Sequence, residues 1–437
     1  MKVKEIFIVG FMLFAMFFGA GNLIFPIALG FQSGSNFWPA ILGFILTGVG
    51  LPLVSVIVGS ISENGYRDLL HKIHPTYSVV FLLIIYLTIG PFFAIPRTAT
   101  TAYEIGVVPF LGTSTSMGLF IFSLLFFLIV LLVALSPSNL ADNIGKYLTP
   151  ALLITMLLLI VRTIALYRSN ETQTLVMETP FVVGFSEGYL TMDAIAAIAF
   201  SIVVLNAIRG TGVTDKNELF IGTIKASFLA VVLLGFIYTG LGWAGNKMPT
   251  PASLPANQNL GAYLIQIISD EAFGSLGIVL LGIMIFLACL TTAVGLIAAV
   301  SEYFASLIPS ISYRTFAIIF STLSFILANQ GLDAVIQTSV PVLGMIYPIA
   351  ISTVLLIAVS YFIPSARISL QLPLVLVAII SILSVVHQNN WLQVDTIEKL
   401  PLYEVNFQWI PVLIIGYVIG QALGARQEKI QYPSPLH

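Results

Sequence analysis

Charge is what this chain has least of. Of 437 residues, 17 are Lys or Arg and 19 are Asp or Glu, 8% in all, and the formal net charge is -2. No Lys/Arg-rich block occurs, so the electrostatic footprint of a nucleic-acid binder is missing. Cysteine is nearly absent as well. A single Cys289 excludes an internal disulfide and any cysteine-rich metal centre. The four histidines, His71, His74, His387 and His437, all lie outside the long apolar runs. His71 and His74 can share a helix face, and a solvated helix accounts for them more simply than a metal pair. No Gly-Lys-Ser/Thr phosphate loop is present to drive a pump with ATP, and no His-Glu-x-x-His or Gly-x-Ser-x-Gly motif to support an embedded hydrolase. An arginine ladder and a carbonyl-filter repeat are also missing, which argues against a voltage sensor and a selective channel.

What remains is apolar. With 58% hydrophobic residues and a mean hydropathy of +1.03, the chain reads as an all-α, polytopic membrane protein. Twelve runs approach the ~20 residues a bilayer requires. They cover Ile6–Gly30, Trp38–Ile61, Tyr77–Tyr103, Gly118–Leu135, Tyr147–Ala165 and Gly188–Arg209. The others are Leu219–Trp243, Gly274–Leu307, Thr315–Ala328, Ala334–Phe362, Leu372–Val386 and Gln408–Leu423. The first run follows Met-Lys-Val-Lys-Glu without a convincing small-x-small cleavage site, and is read as a retained helix. With the N-terminus inside, Lys2, Lys4, Arg67, Lys72, Lys146, Arg209, Lys216, Lys225, Arg314, Arg367, Arg426 and Lys429 fall on the inner side. Arg97, Arg162, Arg168, Lys247 and Lys399 fall on the outer side, and this asymmetry places both termini in the cytoplasm. Glu63–His74 reads as an amphipathic inner helix. Asn259–Asp270, after the Pro-rich 249–255, reads as an outer one over the mouth.

Four places are too polar or too broken for plain lipid anchors. Phe17-Phe18-Gly19-Ala20-Gly21-Asn22-Leu23-Ile24-Phe25-Pro26 interrupts the first span with two glycines, an asparagine and a proline. If Asn22 caps a second half-helix starting at Leu23, Pro26 falls in its first turn and the carbonyl of Asn22 loses its donor. Such backbone is tolerated at mid-membrane only where it is buried in protein or lines a cavity. The half-helix N-terminus then suits an anion and the freed carbonyls a cation. A kink re-satisfied by neighbouring helices is the alternative. Thr291-Thr292 in the eighth span offers two hydroxyls, for a cation or for back-bonding onto the carbonyls four residues earlier. Pro341 to Gly344, with Pro348, marks a kink or gate in the tenth span. In the third span Pro91 and Pro96 precede Arg97 and Glu104, two ionisable groups that are functional candidates if they lie within the membrane and plain surface residues at the outer interface, the reading preferred.

An interrupted helix, a hydroxyl pair and a second broken helix are the parts of a secondary transporter. Three stretches carry a more specific likeness: 17–26 above, Gly-Pro-Phe-Phe-Ala-Ile-Pro-Arg-Thr-Ala-Thr-Thr at 90–101, and Ala-Phe-Ser-Ile-Val-Val-Leu-Asn-Ala-Ile-Arg at 199–209. They resemble the BrnQ family of bacterial branched-chain amino acid:cation symporters, over essentially the whole chain. The resemblance implies a LeuT-like fold in a bacterial plasma membrane: inverted repeats at 1–170 and 180–363, then two additional helices at 370–437. It implies no enzyme activity, no organic cofactor and no obligatory protein partner. It also implies a Na⁺ held by the hydroxyls of Thr291 and Thr292 and the carbonyls of Ala15, Phe18 and Ala288. The substrate carboxylate is expected at the amides of Ala20 and Gly21 beside Asn22, and its ammonium at sixth-span carbonyls near Phe200 and Ser201. No Gly or Pro announces a break there, and the seventh span shows no polar partner for Asn22, so one cation is expected. Proton coupling through Glu104 or Glu302, and a channel or sensor, are the competing readings. The residues able to line a cavity around the break are overwhelmingly apolar, Phe92, Phe93, Phe200, Val203, Leu290 and Val294, and none of these offers a charge or carboxamide.

Overall fold

The computed structural model describes residues 1–135, 142–170, 177–251 and 259–432. Nineteen α-helices make up nearly all of it. The first span is split into α1 (Val3–Phe17) and α2 (Ala20–Ser33). The next comprises α3 (Phe37–Ile45) and α4 (Leu51–Gly59), joined by a π-helical turn at Leu46–Gly50 that absorbs Pro52. A short α5 (Tyr66–Ile73) follows, buries Tyr66, Leu69, Leu70 and Ile73, and matches the expected amphipathic inner helix. α6 (Pro75–Leu87) and α7 (Ala94–Gly106) flank a second interruption, where Gly90 leaves helical geometry ahead of Pro91. α8 (Val108–Leu111), α9 (Ser116–Ala134) and α10 (Thr149–Tyr167) complete the first half.

In the second half come α11 (Pro180–Tyr189), α12 (Asp193–Arg209), α13 (Lys216–Lys247) and α14 (Leu260–Phe273). Asn259 caps α14 by accepting from the Ala262 N–H at 3.2 Å, which bears out the helix expected there; the Pro-rich stretch before it reaches into 252–258, outside the described residues. Then follow α15 (Ser275–Leu307), α16 (Tyr313–Ala328), α17 (Leu332–Phe362), α18 (Arg367–Gln388) and α19 (Trp409–Leu423). A two-residue antiparallel ladder pairs Ser365–Ala366 with Lys429–Ile430.

Among the described residues, eight helical stretches are long and apolar enough to cross a membrane, and α11 with α12, bent by 44°, makes a ninth. The expected twelve is therefore not the number that length and hydropathy return. α16 and α19 are apolar but only 16 and 15 residues long, and α1 has 15. One stretch, Gly21–Gly59, would be about 58 Å long at ~1.5 Å per residue, nearly twice a hydrocarbon core. Gly34, at φ 48, turns the chain between its two parts. Burial separates the centre from the rim. In α15, 83% of the apolar window is buried, against 33% in α9, whose Met117, Ile121, Leu125, Leu128 and Leu132 form one exposed stripe. α15 and the first span are thus the axis, and α9 faces lipid.

Two of the residues expected on the inner side, Arg209 and Lys216, meet at one end. There Lys216 pairs with Glu63 at 2.8 Å, Arg209 with Glu63 at 3.9 Å, and the Met1 amino group with Glu218 at 3.7 Å. At the opposite end Arg162 donates to the Ala272 carbonyl and Tyr167 to Glu271.

The breaks differ from expectation in detail. α2 begins at Ala20, not Leu23, because Gly19 is its N-cap; Asn22 sits in the first turn and its Oδ1 accepts from the Gly19 N–H at 3.1 Å. Pro26 consequently lies in the second turn. The sixth-span break falls at Leu190–Met192, well before Phe200 and Ser201, and Met192 adopts left-handed geometry at φ 65. That conformation costs a non-glycine residue ~1–2 kcal/mol.

Close crossings rely on missing side chains. A Cβ on Gly184 of α11 would fall 1.8 Å from the Ala40 carbonyl oxygen of α3, and one on Gly30 of α2 would fall 1.9 Å from that of Gly242 in α13. Gly184→Ala should therefore destabilise the protein by ~1–3 kcal/mol through forced separation of backbones. Gly235→Ala, where an added Cβ meets nothing within 4 Å, should be neutral or stabilising by ~0.5–1 kcal/mol. Thermal unfolding of the two purified variants checks the contrast.

Candidate functional site

Where α1 ends, the carbonyl of Ala15 loses its helical donor. That donor would be the Gly19 N–H, which has gone to the Asn22 side chain. Two hydroxyls from α15 replace it: Thr291 donates to the Ala15 oxygen at 2.9 Å and Thr292 at 3.2 Å. Thr291 also lies 3.0 Å from the Leu287 carbonyl and 3.1 Å from that of Ala288, so back-bonding is part of its account. Thr292 has no such bond among those described. A Cβ on Gly19 would lie 2.9 Å from the Thr292 Oγ1, which puts Gly19 directly beside that hydroxyl. The structure thus brings Ala15, Ala288, Thr291 and Thr292 together, with Phe18 adjoining. These are neutral oxygen donors in a dry setting, a set suited to a dehydrated alkali cation.

Beside them stands a group the sequence reading missed. Asp193, the first residue of α12, is 2% exposed, and its carboxylate accepts from Asn22 Nδ2 at 2.7 Å and from the Tyr238 hydroxyl at 2.8 Å. Asn22 also meets the Tyr238 hydroxyl directly. The seventh span therefore does supply a polar partner, a tyrosine of α13. The available signal was Asp193 itself, an acid inside the stretch taken as the sixth span.

Arg97 requires the plainest correction. It is 5% exposed, not interfacial, and one amine of its guanidinium donates to the Leu190 carbonyl at 2.9 Å. Its other amine reaches the Thr191 carbonyl at 3.5 Å, and the guanidinium stands over the Phe25 ring at 5.7 Å. The chain leaves helical geometry at Gly90, seven residues before Arg97, and α7 starts after that break. A Cβ on Gly21 would lie 2.9 Å from the Arg97 amine, so the start of α2 and this cation adjoin. Glu104, by contrast, bonds Ser114 at 2.9 Å in a partly exposed position, away from Arg97.

Between these groups lies a cavity of ≈ 20 Å³, where one water needs ~10–15 Å³. Gly19, Asn22, Arg97, Thr98, Thr191, Asp193 and Thr292 supply its polar wall; Met16, Phe17, Ala94, Met192, Ala196, Phe200 and Leu296 supply the apolar one. The expectation of an overwhelmingly apolar lining is thus corrected. Of the six residues expected to form it only Phe200 does so, its ring 5.4 Å from that of Phe17, while Phe92 is 42% exposed. Ser201 does not reach the break: its hydroxyl bonds the Ile198 carbonyl and faces Gly59. It borders instead a larger cavity of ≈ 620 Å³ toward the end that holds Glu63 and Lys216, with Asn206, Arg209 and Glu302.

A sequence model described as "Branched-chain amino acid transport protein" matches residues 2–427. The chain belongs to that family. It is 50% identical to a protein of Staphylococcus aureus (strain USA300) assigned as a branched-chain amino acid carrier, covering 98% of this chain and 99% of that one. It is 51% identical to a similarly assigned protein of Staphylococcus saprophyticus subsp. saprophyticus, covering 98% of each. Among solved structures it resembles MHP1, a nucleobase-cation-symport-1 family transporter, with a TM-score of 0.59 at 11% identity, covering 95% of this chain and 91% of that one. It also resembles MhsT in complex with L-phenylalanine, with a TM-score of 0.55 at 15% identity over 94% and 98%. The fold is LeuT-like, and the protein is a multi-pass membrane transporter rather than an enzyme.

Arg97→Met leaves the Leu190 and Thr191 carbonyls and the nearby Asp193 without their cation, and should cost on the order of 3–5 kcal/mol. Arg97→Lys, which keeps the charge but not the two-pronged fork, should lose less. Melting curves of the detergent-solubilised variants test the order.

Proposed function

We propose that the protein carries leucine, isoleucine and valine into a bacterial cell by Na⁺-coupled symport, through alternating access around the cavity between the two breaks. The observation that carries this reading is the Ala15 carbonyl, released by the break and met by two threonine hydroxyls, immediately beside a cavity with opposite charges on its walls. Na⁺ is cargo, held by Ala15, Phe18, Ala288, Thr291 and Thr292. The amino acid's carboxylate takes the amides of Ala20 and Gly21 together with Arg97. Its ammonium takes Asp193 with Asn22. Its aliphatic side chain lies against Phe17, Phe200 and Leu296. A cavity of ≈ 20 Å³ does not hold leucine, so loading requires the helices around it to separate. The positive-inside bias supports cytoplasmic termini in a plasma membrane, and the two repeats and the added helix pair follow the boundaries given above.

Proteoliposome uptake of leucine should follow an imposed Na⁺ gradient. Thr292→Ala, which removes an oxygen ligand without harming helix propensity, should raise the half-saturating Na⁺ concentration far more than it lowers the melting temperature. Wild-type Na⁺ dependence in that variant would leave the hydroxyl a purely structural role. A second reading is proton coupling, and Asp193 favours it: a buried carboxylate on the transport path is a ready proton carrier. Uptake driven by a pH gradient and indifferent to Na⁺ would decide for it.

Selectivity follows from the wall. A neutral polar side chain buried against Phe17, Phe200 and Leu296 costs ~1–3 kcal/mol, while each buried CH₂ contributes ~0.8 kcal/mol. Labelled leucine uptake should be competed by isoleucine and valine, weakly by alanine, and scarcely by glutamine, lysine or glutamate. 4-Methylpentanoate and isopentylamine, each lacking one of leucine's two charges, should compete poorly, since each leaves Asp193 or Arg97 unanswered.

A further inference from the structure

One buried polar group takes no part in the site described above. The Tyr347 side chain of α17 is 1% exposed, and its hydroxyl has no hydrogen-bond partner among the described residues. It has left water and gained nothing in return, a state that native structures reserve for few groups. Its neighbours give it a use. The hydroxyl adjoins the Met192 backbone and lies in the field of both Asp193 and Arg97, without bonding any of the three. All three of those residues belong to the wall of the central cavity. Tyr347 stands just behind that wall.

The fold fixes the ring in this place. It stacks on the ring of Tyr189, at the end of α11, with centroids 4.5 Å apart and planes 20° from parallel. The next residue of α17, Pro348, has no N–H for the Gly344 carbonyl, so one rung of the helical ladder is missing at this turn. The Pro341–Pro348 stretch noted in the sequence thus delivers a tyrosine to the α11–α12 break.

The surroundings also select which end of an amino acid the hydroxyl serves. Arg97 and the Met192 amide are donors, and Asp193 is already answered by Asn22 and Tyr238. The hydroxyl therefore has a proton to give, and the acceptor it lacks is a carboxylate beside Arg97.

We propose that Tyr347 is a substrate-binding residue, whose hydroxyl donates to the carboxylate of the bound amino acid alongside the Arg97 guanidinium. This deepens the transport function proposed above and rests on it. The separation of helices that enlarges the ≈ 20 Å³ cavity for loading opens the wall in front of the hydroxyl, and the cargo supplies its missing partner.

Leucine binding to the full chain in lipid nanodiscs at saturating Na⁺, read beside thermal unfolding, tests it. Tyr347→Phe keeps the ring and the stack. Without leucine it should melt at the wild-type temperature or above, because it loses no bond. Its leucine affinity should fall on the order of ten- to a hundred-fold, the worth of a hydrogen bond to a charged group. Leucinamide, which keeps the ammonium but has no carboxylate, should bind wild type and Tyr347→Phe about equally, as read by competition. Tyr189→Phe removes another buried, unpaired hydroxyl, one on which no charged side chain among the described residues acts, and should leave leucine affinity unchanged. If Tyr347→Phe binds leucine like wild type, or loses leucinamide as strongly as leucine, the assignment is overturned while the transport reading stands. Equal loss in Tyr189→Phe would trace the effect to the ring stack and overturn it too. If wild type binds no leucine, both fall.

Discussion

Everything at the centre of this bundle depends on one constraint: backbone polar groups released at a helix break must find partners where neither water nor lipid supplies them. The Gly19 N–H goes to Asn22, whose amide nitrogen then meets Asp193 and Tyr238. The Ala15 carbonyl goes to Thr291 and Thr292, and the Leu190 carbonyl goes to Arg97. The two carbonyls are answered by α15 and α7, and the N–H by Asn22, whose side chain α12 and α13 hold in turn, so two interruptions tie the middle of the bundle together. A site arises here because the partners are side chains, which can exchange one acceptor for another, whereas a helical ladder cannot.

The charges obey the same logic. Asp193 opens α12, at the positive end of that half-helix, and Arg97 caps the negative end of α11. Among the described residues no ion pair joins them within 4 Å. Each is held by a helix end and by hydrogen bonds, and the two attract each other across the cavity rather than through a contact pair. Two opposite charges compensated in this way remain available to a third party. A zwitterion is the species that answers both without adding net charge to the membrane interior, which is why an amino acid fits this arrangement better than an anion or an amine alone.

The first break was legible because it is written in residues that resist helix: Gly19, Gly21, Asn22 and Pro26. Its boundary was displaced by three residues because glycine, not asparagine, took the cap, and Asn22 worked from inside the first turn. The sixth-span break was not legible. It is made by Leu190, Thr191 and Met192, and the left-handed Met192 carries no signature in its type. Asp193 was the available clue, and it was overlooked among its apolar neighbours. Arg97 was legible as an ionisable group in a span but not as a buried one. Its direction depends on the rotation of α7 after the break at Gly90, and sequence does not give helix rotation. The same ignorance of rotation placed Phe92 and Ser201 at the pocket and left out Phe17 and Leu296.

The geometry also suggests how a cation and an amino acid come to depend on each other. Gly19 lies beside Thr292, and its N–H is tied to the Asn22 side chain. In the proposed cycle, Na⁺ at Ala15, Thr291 and Thr292 replaces the hydroxyl protons now directed at Ala15, and so fixes the peptide that starts α2. The amides of Ala20 and Gly21 and the carboxamide of Asn22 belong to that first turn, so their aim at the amino acid is fixed with it. Coupling then needs no long path. It is the shared rigidity of one peptide and one helical turn, and by linkage the amino acid must strengthen Na⁺ binding by the factor with which Na⁺ strengthens its own.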